Sequence, residues 1–520
     1  MSARFPGIWL LFFAGVMLAV FAEQTWPYWR DGALLAGIHA DGPFHFYCES
    51  IRLDPASFPG DLTVQSNQSL GAYEFFYAFV VMFTKATGLS LLNANLILCW
   101  LGNLLYLAGV MFLLRRLGAR PGWAAVGTLL AAQPFVLVEM SSGVVHSLAI
   151  PREVWQWPMP WFVTWFLFGK RESWHLLIFY GAIGAVFAFT YPLWAVLLGV
   201  GFGLADAAFF FREKKFKEIF WLGAAGLVCM AAIAIPSLAT YRAVAAGDGA
   251  VLDYNQITRS VYFSKGFRLT LVFVAAGLGS FWLLRRASGE LSEPLRRLRI
   301  LLLASLAVCV FFEPLQRLLP NVSLLYPGRL SLVSYLASMT AVALALDAAF
   351  QKFPCWGKAL AIAAIVTVCL SPIRSLQKEV KAGSDGSVAA QEDFVAFCKQ
   401  VRQKTPMNIL AIAPPLPGAH YFRVYAERSL WISGKDTGVL SRSRKLYDEG
   451  SRRLKILQQF YDGQTSPAQR ETILQTLKLE GVNYIVVEED EKWTANLSWP
   501  VIFQNGNWQL RAATANFENH

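Results

Sequence analysis

The chain has 520 residues, 55% of them hydrophobic and 16% charged, with a mean hydropathy of +0.41. Soluble domains carry about a quarter charged residues, so this balance excludes a purely water-soluble protein. The net charge of +11 does not point to nucleic acid either, because Lys and Arg gather in short loops between apolar blocks, which is the positive-inside pattern of a membrane protein.

The apolar blocks run to about 15–22 residues with almost no charge, the length a helix needs to cross a hydrocarbon core of ~30 Å. In lipid only a helix satisfies its own backbone donors and acceptors, so the blocks are expected to be helical. The first, Phe5 to Phe21, follows a start with Arg4 and lacks a small-residue cleavage site, so it reads as an uncleaved helix with a cytoplasmic N-terminus. A span over 91–114 ends in RRLGAR at 115–120; placing those arginines in the cytoplasm leaves 22–90 as one long outer loop. Within that loop GAYEFFYAFVVMF, 71–83, is too short to cross and carries Glu74, so it is expected to lie in the outer interface.

Further spans are expected at 122–139, 157–169, 174–189, 191–210, 218–239, 268–284, 299–312, 330–350 and 358–373, about eleven in all. The loops KRES, FREKKFKE, RRASGELSEPLRRLR and QKFPCWGK then fall consistently on the cytoplasmic side. From about Arg374 the apolar runs shrink to strand length, predicting a mixed α/β domain over 374–520 outside the cytoplasm. Helices are expected at 391–403, 443–461 and 466–479, and strands at 408–413 and 483–489. The expected architecture is therefore a polytopic α-helical membrane domain, 1–373, followed by a soluble domain, 374–520. The seven cysteines show no zinc spacing and no disulfide framework; only Cys48 and Cys398 fall on the oxidising side, which leaves a bridge between them as an option.

Chemistry concentrates in the first outer loop, where Asp31, His39, Asp41, His45, Glu49, Asp54 and Asp61 follow the first helix. A carboxylate held against a low-dielectric boundary suits a general base or a ligand to a divalent cation, Mg or Mn; an ordinary solvated loop is the alternative. Asp41 is the preferred carboxylate, because Phe44, Phe46 and Tyr47 after it suit anchoring in the interface. His39, Asp41 and His45 form a weak metal-ligand trio by spacing.

The second outer loop places Arg152 after a proline, and LYPGRLSLVSYL places Arg329 after a Pro-Gly turn. Arginine's planar fork matches a lipid phosphate, although snorkelling to headgroups accounts for such a residue equally well. His146, at similar depth, suits a hydrogen bond to substrate or a structural role.

These features together resemble the GT-C superfamily of integral membrane glycosyltransferases, and more closely a group of bacterial GT-C-like membrane proteins. The likeness is carried by Asp41, Tyr47 and Asp61, by IPRE around Arg152 with GKR at 169–171, by TYP at 190–192 and by YPGR ending at Arg329. In the tail it is carried by TPMNILAIAPP, YFRVYAERS with Lys435, and NYIVVEE; the TYP segment departs from the His-Pro expected at that place.

The resemblance implies inverting transfer of a sugar from a polyprenyl-phosphate donor to a glycan, lipid or protein acceptor, on the outer face of a bacterial inner membrane. It implies an acidic residue of the first loop, Asp41 foremost and Asp61 with it, as base or metal holder. Arg152 and Arg329 would take the lipid phosphate, with His146 and Tyr47 beside the substrate. A carrier or flippase for lipid-linked glycans is the main alternative, and the scarcity of ionisable groups deep in the spans argues against it. An assembly factor is the other, with Arg423, Arg428 and Lys435 of the tail meeting an anionic partner or fixing the tail to the membrane part.

Overall fold

The computed structural model describes residues 41–67, 74–132, 136–137, 140–141, 154–190, 192–246, 265–318, 330–352, 387–415, 421–434, 436, 440, 443–489 and 491–513. They divide into two compact units, one drawn from 1–26, 95–238 and 254–376, the other from 27–94, 239–253 and 377–520.

The first unit is helical: α4 (Leu91–Arg116), α5 (Pro121–Ala132), α6 (Met159–Phe168), α7 (Trp174–Thr190), α8 (Pro192–Arg212), α9 (Phe216–Ala246), α10 (Lys265–Ser288), α11 (Glu293–Leu318) and α12 (Ser331–Lys352). Five helices among the described residues are long and apolar enough to cross a membrane, in α4, α8, α9, α10 and α12. Exposed Leu227, Val272, Trp282 and Phe311 leave apolar surface on the outside of the bundle, which requires an apolar solvent. The spans expected at 5–21 and 358–373 lie outside the described residues.

Two expectations change here. The stretch 122–139 holds a helix described to Ala132 and then a short antiparallel ladder of β1 (Val136–Leu137) and β2 (Met140–Ser141), pairing Val136 with Ser141 and Leu137 with Met140. The run 299–312 belongs to a longer helix whose first turns carry Arg296, Arg297 and Arg299.

Inside this unit two acidic residues of the apolar helices, Asp206 and Asp347, are each neutralised by a loop arginine. Asp206 receives Arg171 through both its oxygens and accepts from the Tyr180 hydroxyl at 2.8 Å, while Asp347 receives Arg120 Nε at 2.5 Å and its backbone N–H at 2.8 Å. The basic loops thus tie helix ends together as well as setting charge. Helices α10 and α12 meet closely enough that a Cβ on Gly277 would lie 2.7 Å from Ser338 Oγ, the small-residue packing by which helices associate where no hydrophobic effect drives them.

The second unit joins the first loop to the tail. It holds α1 (Asp41–Leu53), α2 (Leu62–Asn67) and α3 (Glu74–Thr87), then α13 (Ser387–Lys404), α14 (Tyr421–Tyr425), α15 (Arg444–Tyr461) and α16 (Pro467–Leu479). Five strands, β3 (Leu410–Ile412), β4 (Ser429–Leu430), β5 (Tyr484–Glu488), β6 (Val501–Asn505) and β7 (Trp508–Ala512), form a mixed sheet in the order β4-β3-β5-β7-β6. Strand β3 is parallel to β4 and β5, and β7 is antiparallel to β5 and β6.

Alternation along β5 sends Ile485 and Val487 into a core with Leu457, Phe460, Leu474 and Leu477. Leu62 of the first loop belongs to that same core, within the unit that groups 27–94 with the tail. Ser443 caps α15 by accepting from Leu446 N–H, and Ser466 with Gln469 forms a capping box on α16, so both helices begin within a residue of their expected starts.

Candidate functional site

Helix α1 opens with Asp41 and packs on two sides. Residues two apart on a helix point to nearly opposite faces, and His45 and Tyr47 use this. His45 Nδ1 lies 2.5 Å from the Tyr77 hydroxyl of α3, with the rings 5.9 Å apart. Tyr47 faces the other way, its ring edge-on to Phe58 and under the guanidinium of Arg423 at 4.7 Å.

Arg423 is the centre of a fully buried charge cluster. Its Nε and Nη2 donate to Asp61 at 2.7 and 3.0 Å, and its Nη1 and Nη2 donate to Asp436 at 2.6 and 2.8 Å. Asp61 also accepts from Thr63 N–H and hydroxyl and from Leu430 N–H; Asp436 accepts from Ser433 N–H and hydroxyl. Because the Thr63 hydroxyl proton is directed at Asp61, the Tyr47 hydroxyl, 2.6 Å away, is the donor to Thr63.

Burial works against the Arg423 charge, but Asp436 and Asp61 outweigh it and hold its pKa above the ordinary range. Burial pushes the Asp436 carboxyl up, opposed by Arg423, as expected where one cation serves two carboxylates. Burial likewise holds the Tyr47 phenol above its ordinary value, so it remains a neutral donor. Every strong acceptor in the cluster is satisfied, and the arrangement works as a brace that fixes the first loop to the tail sequence inside one unit.

The expected site residues separate accordingly. Asp61 and Tyr47 are completely buried in the brace, so no reactant reaches them as they stand. Asp41 sits at the start of α1, one turn before His45. His39, His146, Arg152 and Arg329 lie outside the described residues.

Asp61 already receives Arg423, and among the described residues no three His, Cys, Asp or Glu side chains converge; of the expected metal trio His39, Asp41 and His45, only the His45 side chain lies within the described residues. Cys48 and Cys398 are both buried thiols outside any disulfide, which removes the bridge left open by the sequence; burial raises both thiols, Cys48 to about 12.

The tail arginines are also corrected. Arg428 donates to the carbonyls of Arg402, Thr405, Ala426 and Glu427, and Arg423 is enclosed, so neither is presented to an anionic partner. Lys435 lies outside the described residues. Sequence reasoning missed Asp436, which has no neighbouring motif; its only signal is a carboxylate one residue after Lys435 in a short turn.

No family model matches the sequence, and no curated relative does. The chain is similar in structure to ArnT from Cupriavidus metallidurans bound to undecaprenyl phosphate, with a TM-score of 0.56 and 14% identity over 98% of both chains. It is also similar to the same bacterium's ArnT in the apo state, with a TM-score of 0.53 and 13% identity, again over 98% of both. At these identities the likeness is one of fold alone: the chain shares the fold of these ArnT structures over nearly its whole length.

Proposed function

We propose that this chain, built on the fold of ArnT, is a multi-pass inner-membrane glycosyltransferase that uses a polyprenyl-phosphate-linked sugar on the extracytoplasmic face. The observation that carries the reading is the fold match over nearly the whole of both chains to a structure that binds undecaprenyl phosphate. The charge of the loops supports the sidedness, with RRLGAR, KRES and FREKKFKE cytoplasmic.

In this reading Asp41, at the start of α1, takes the proton of the acceptor hydroxyl as its oxygen attacks the anomeric carbon. The bond from that carbon to the donor phosphate oxygen breaks, its electrons stay on the phosphate, and attack from the opposite face inverts the centre. Arg152 and Arg329 stabilise the charge that grows on the leaving phosphate, and His146 hydrogen-bonds the sugar. Asp61 and Tyr47 position the helix that carries Asp41. The acceptor class, glycan, lipid or protein, is set by the outer loops.

The test is transfer of labelled sugar from a panel of polyprenyl-phosphate donors by the purified protein and by Asp41→Asn. Transfer from one donor, abolished in the variant, is the expected result. No turnover with any donor overturns the enzyme reading, and equal turnover by the variant removes Asp41 from the site.

A further inference from the structure

Helix α3 is apolar on more than its packed side. Phe76, Tyr77, Val80, Val81 and Thr84 are buried, yet Phe75 and Met82 on other faces are 42% and 62% exposed. A helix apolar all round needs an apolar environment all round. Beside its exposed stripe lies an open groove of about 550 Å³ in the second unit, walled by Ala78, Val81, Met82 and Ala86, with Arg52 of α1 and Lys85 bordering it.

Ala78, Met82, Lys85 and Ala86 recur at helical spacing, so the apolar wall runs along one face of α3 and ends at the cation. An aliphatic wall ending between two positive side chains complements an amphiphile with an anionic head. Lys85 also lies six residues before Leu91, where the 26-residue membrane helix α4 begins, so it is at most about 21 Å of chain from a bilayer entry point.

We propose that this groove binds an anionic glycerophospholipid of the surrounding bilayer, its phosphate between Arg52 and Lys85 and its acyl chain along Ala78, Val81, Met82 and Ala86. The occupant is a resident lipid and not the sugar donor, so the site stands or falls apart from glycosyl transfer. Two cations at a lipid headgroup give a preference of about thirtyfold for an anionic over a zwitterionic lipid.

The experiment is native mass spectrometry of the full chain released from nanodiscs of equal parts phosphatidylglycerol and phosphatidylcholine. Expected is retained phosphatidylglycerol in the wild type, lost in Arg52→Gln/Lys85→Gln and weakened in Met82→Glu, with an unchanged melting temperature in the double Gln variant. Equal retention by wild type and the double Gln variant overturns the proposal. Displacement by inorganic phosphate alone would make it a free-anion site, and displacement by equimolar undecaprenyl phosphate would make it part of the donor site; either result also overturns it.

Discussion

Arg423 and Asp61 stand 362 positions apart and share two hydrogen bonds, of 2.7 and 3.0 Å, with both side chains wholly buried. Asp436 completes the fork from the other side at 2.6 Å. Removing the guanidinium leaves two buried carboxylates without a cation, a change that costs about 3–5 kcal/mol. Arg423→Ala should therefore lower the melting temperature of the detergent-solubilised chain and expose the tail to trypsin. Arg423→Lys should restore only part of the loss, because one ammonium cannot grip two carboxylates as a planar fork does. A melting curve unchanged in Arg423→Ala would show that the brace holds nothing.

Two carboxylates of the first loop, Asp61 and Asp41, should respond oppositely to amidation. Asp61→Asn puts an amide where Arg423, Thr63 and Leu430 all donate, so stability falls while transfer persists at low temperature. Asp41→Asn should leave the melting temperature in place and abolish transfer. Running thermal unfolding and labelled-sugar transfer on both variants separates a base from a brace; loss of stability in Asp41→Asn would reassign that residue.

Gly102 on α4 faces the indole of Trp157, and a Cβ there would lie 2.0 Å from the ring. Trp157 follows Arg152 by five residues, so displacing it disturbs the segment that the proposed phosphate contact belongs to. Gly102→Ala should destabilise the helical unit by about 1–3 kcal/mol through overpacking. Gly223→Ala, where nothing lies within 4 Å, serves as the control and should be neutral or mildly stabilising. Intrinsic tryptophan fluorescence during thermal unfolding reads both.

Hydrogen bonds from Arg452 hold the Glu449 carboxyl at about 2, below its ordinary 4.5, aided by Arg453 despite partial burial. Its stabilising contribution is present above the ordinary value and is lost as pH falls toward 2. The side chain is 32% exposed, so solvent screening limits the effect to at most about 1 kcal/mol. Glu449→Gln should lower the melting temperature slightly near neutrality and flatten its decline through this acid window. Parallel slopes for wild type and variant would contradict the assignment.

The sequence by itself determined the long apolar helices such as α4, because hydropathy and loop charge act locally: the run at 91–114 and the arginines after it dictate α4 without reference to any distant residue. The starts of α15 and α16 were legible for the same reason, since Ser443 and Ser466 cap their own helices. What only the tertiary structure decided is which of the first-loop acids is spent inside. Asp61 and Asp41 look alike in sequence, and Arg423 looks like a tail arginine available to a partner. Their pairing depends on strand order in the sheet and on α14 meeting α1, contacts between positions hundreds of residues apart that no local periodicity encodes.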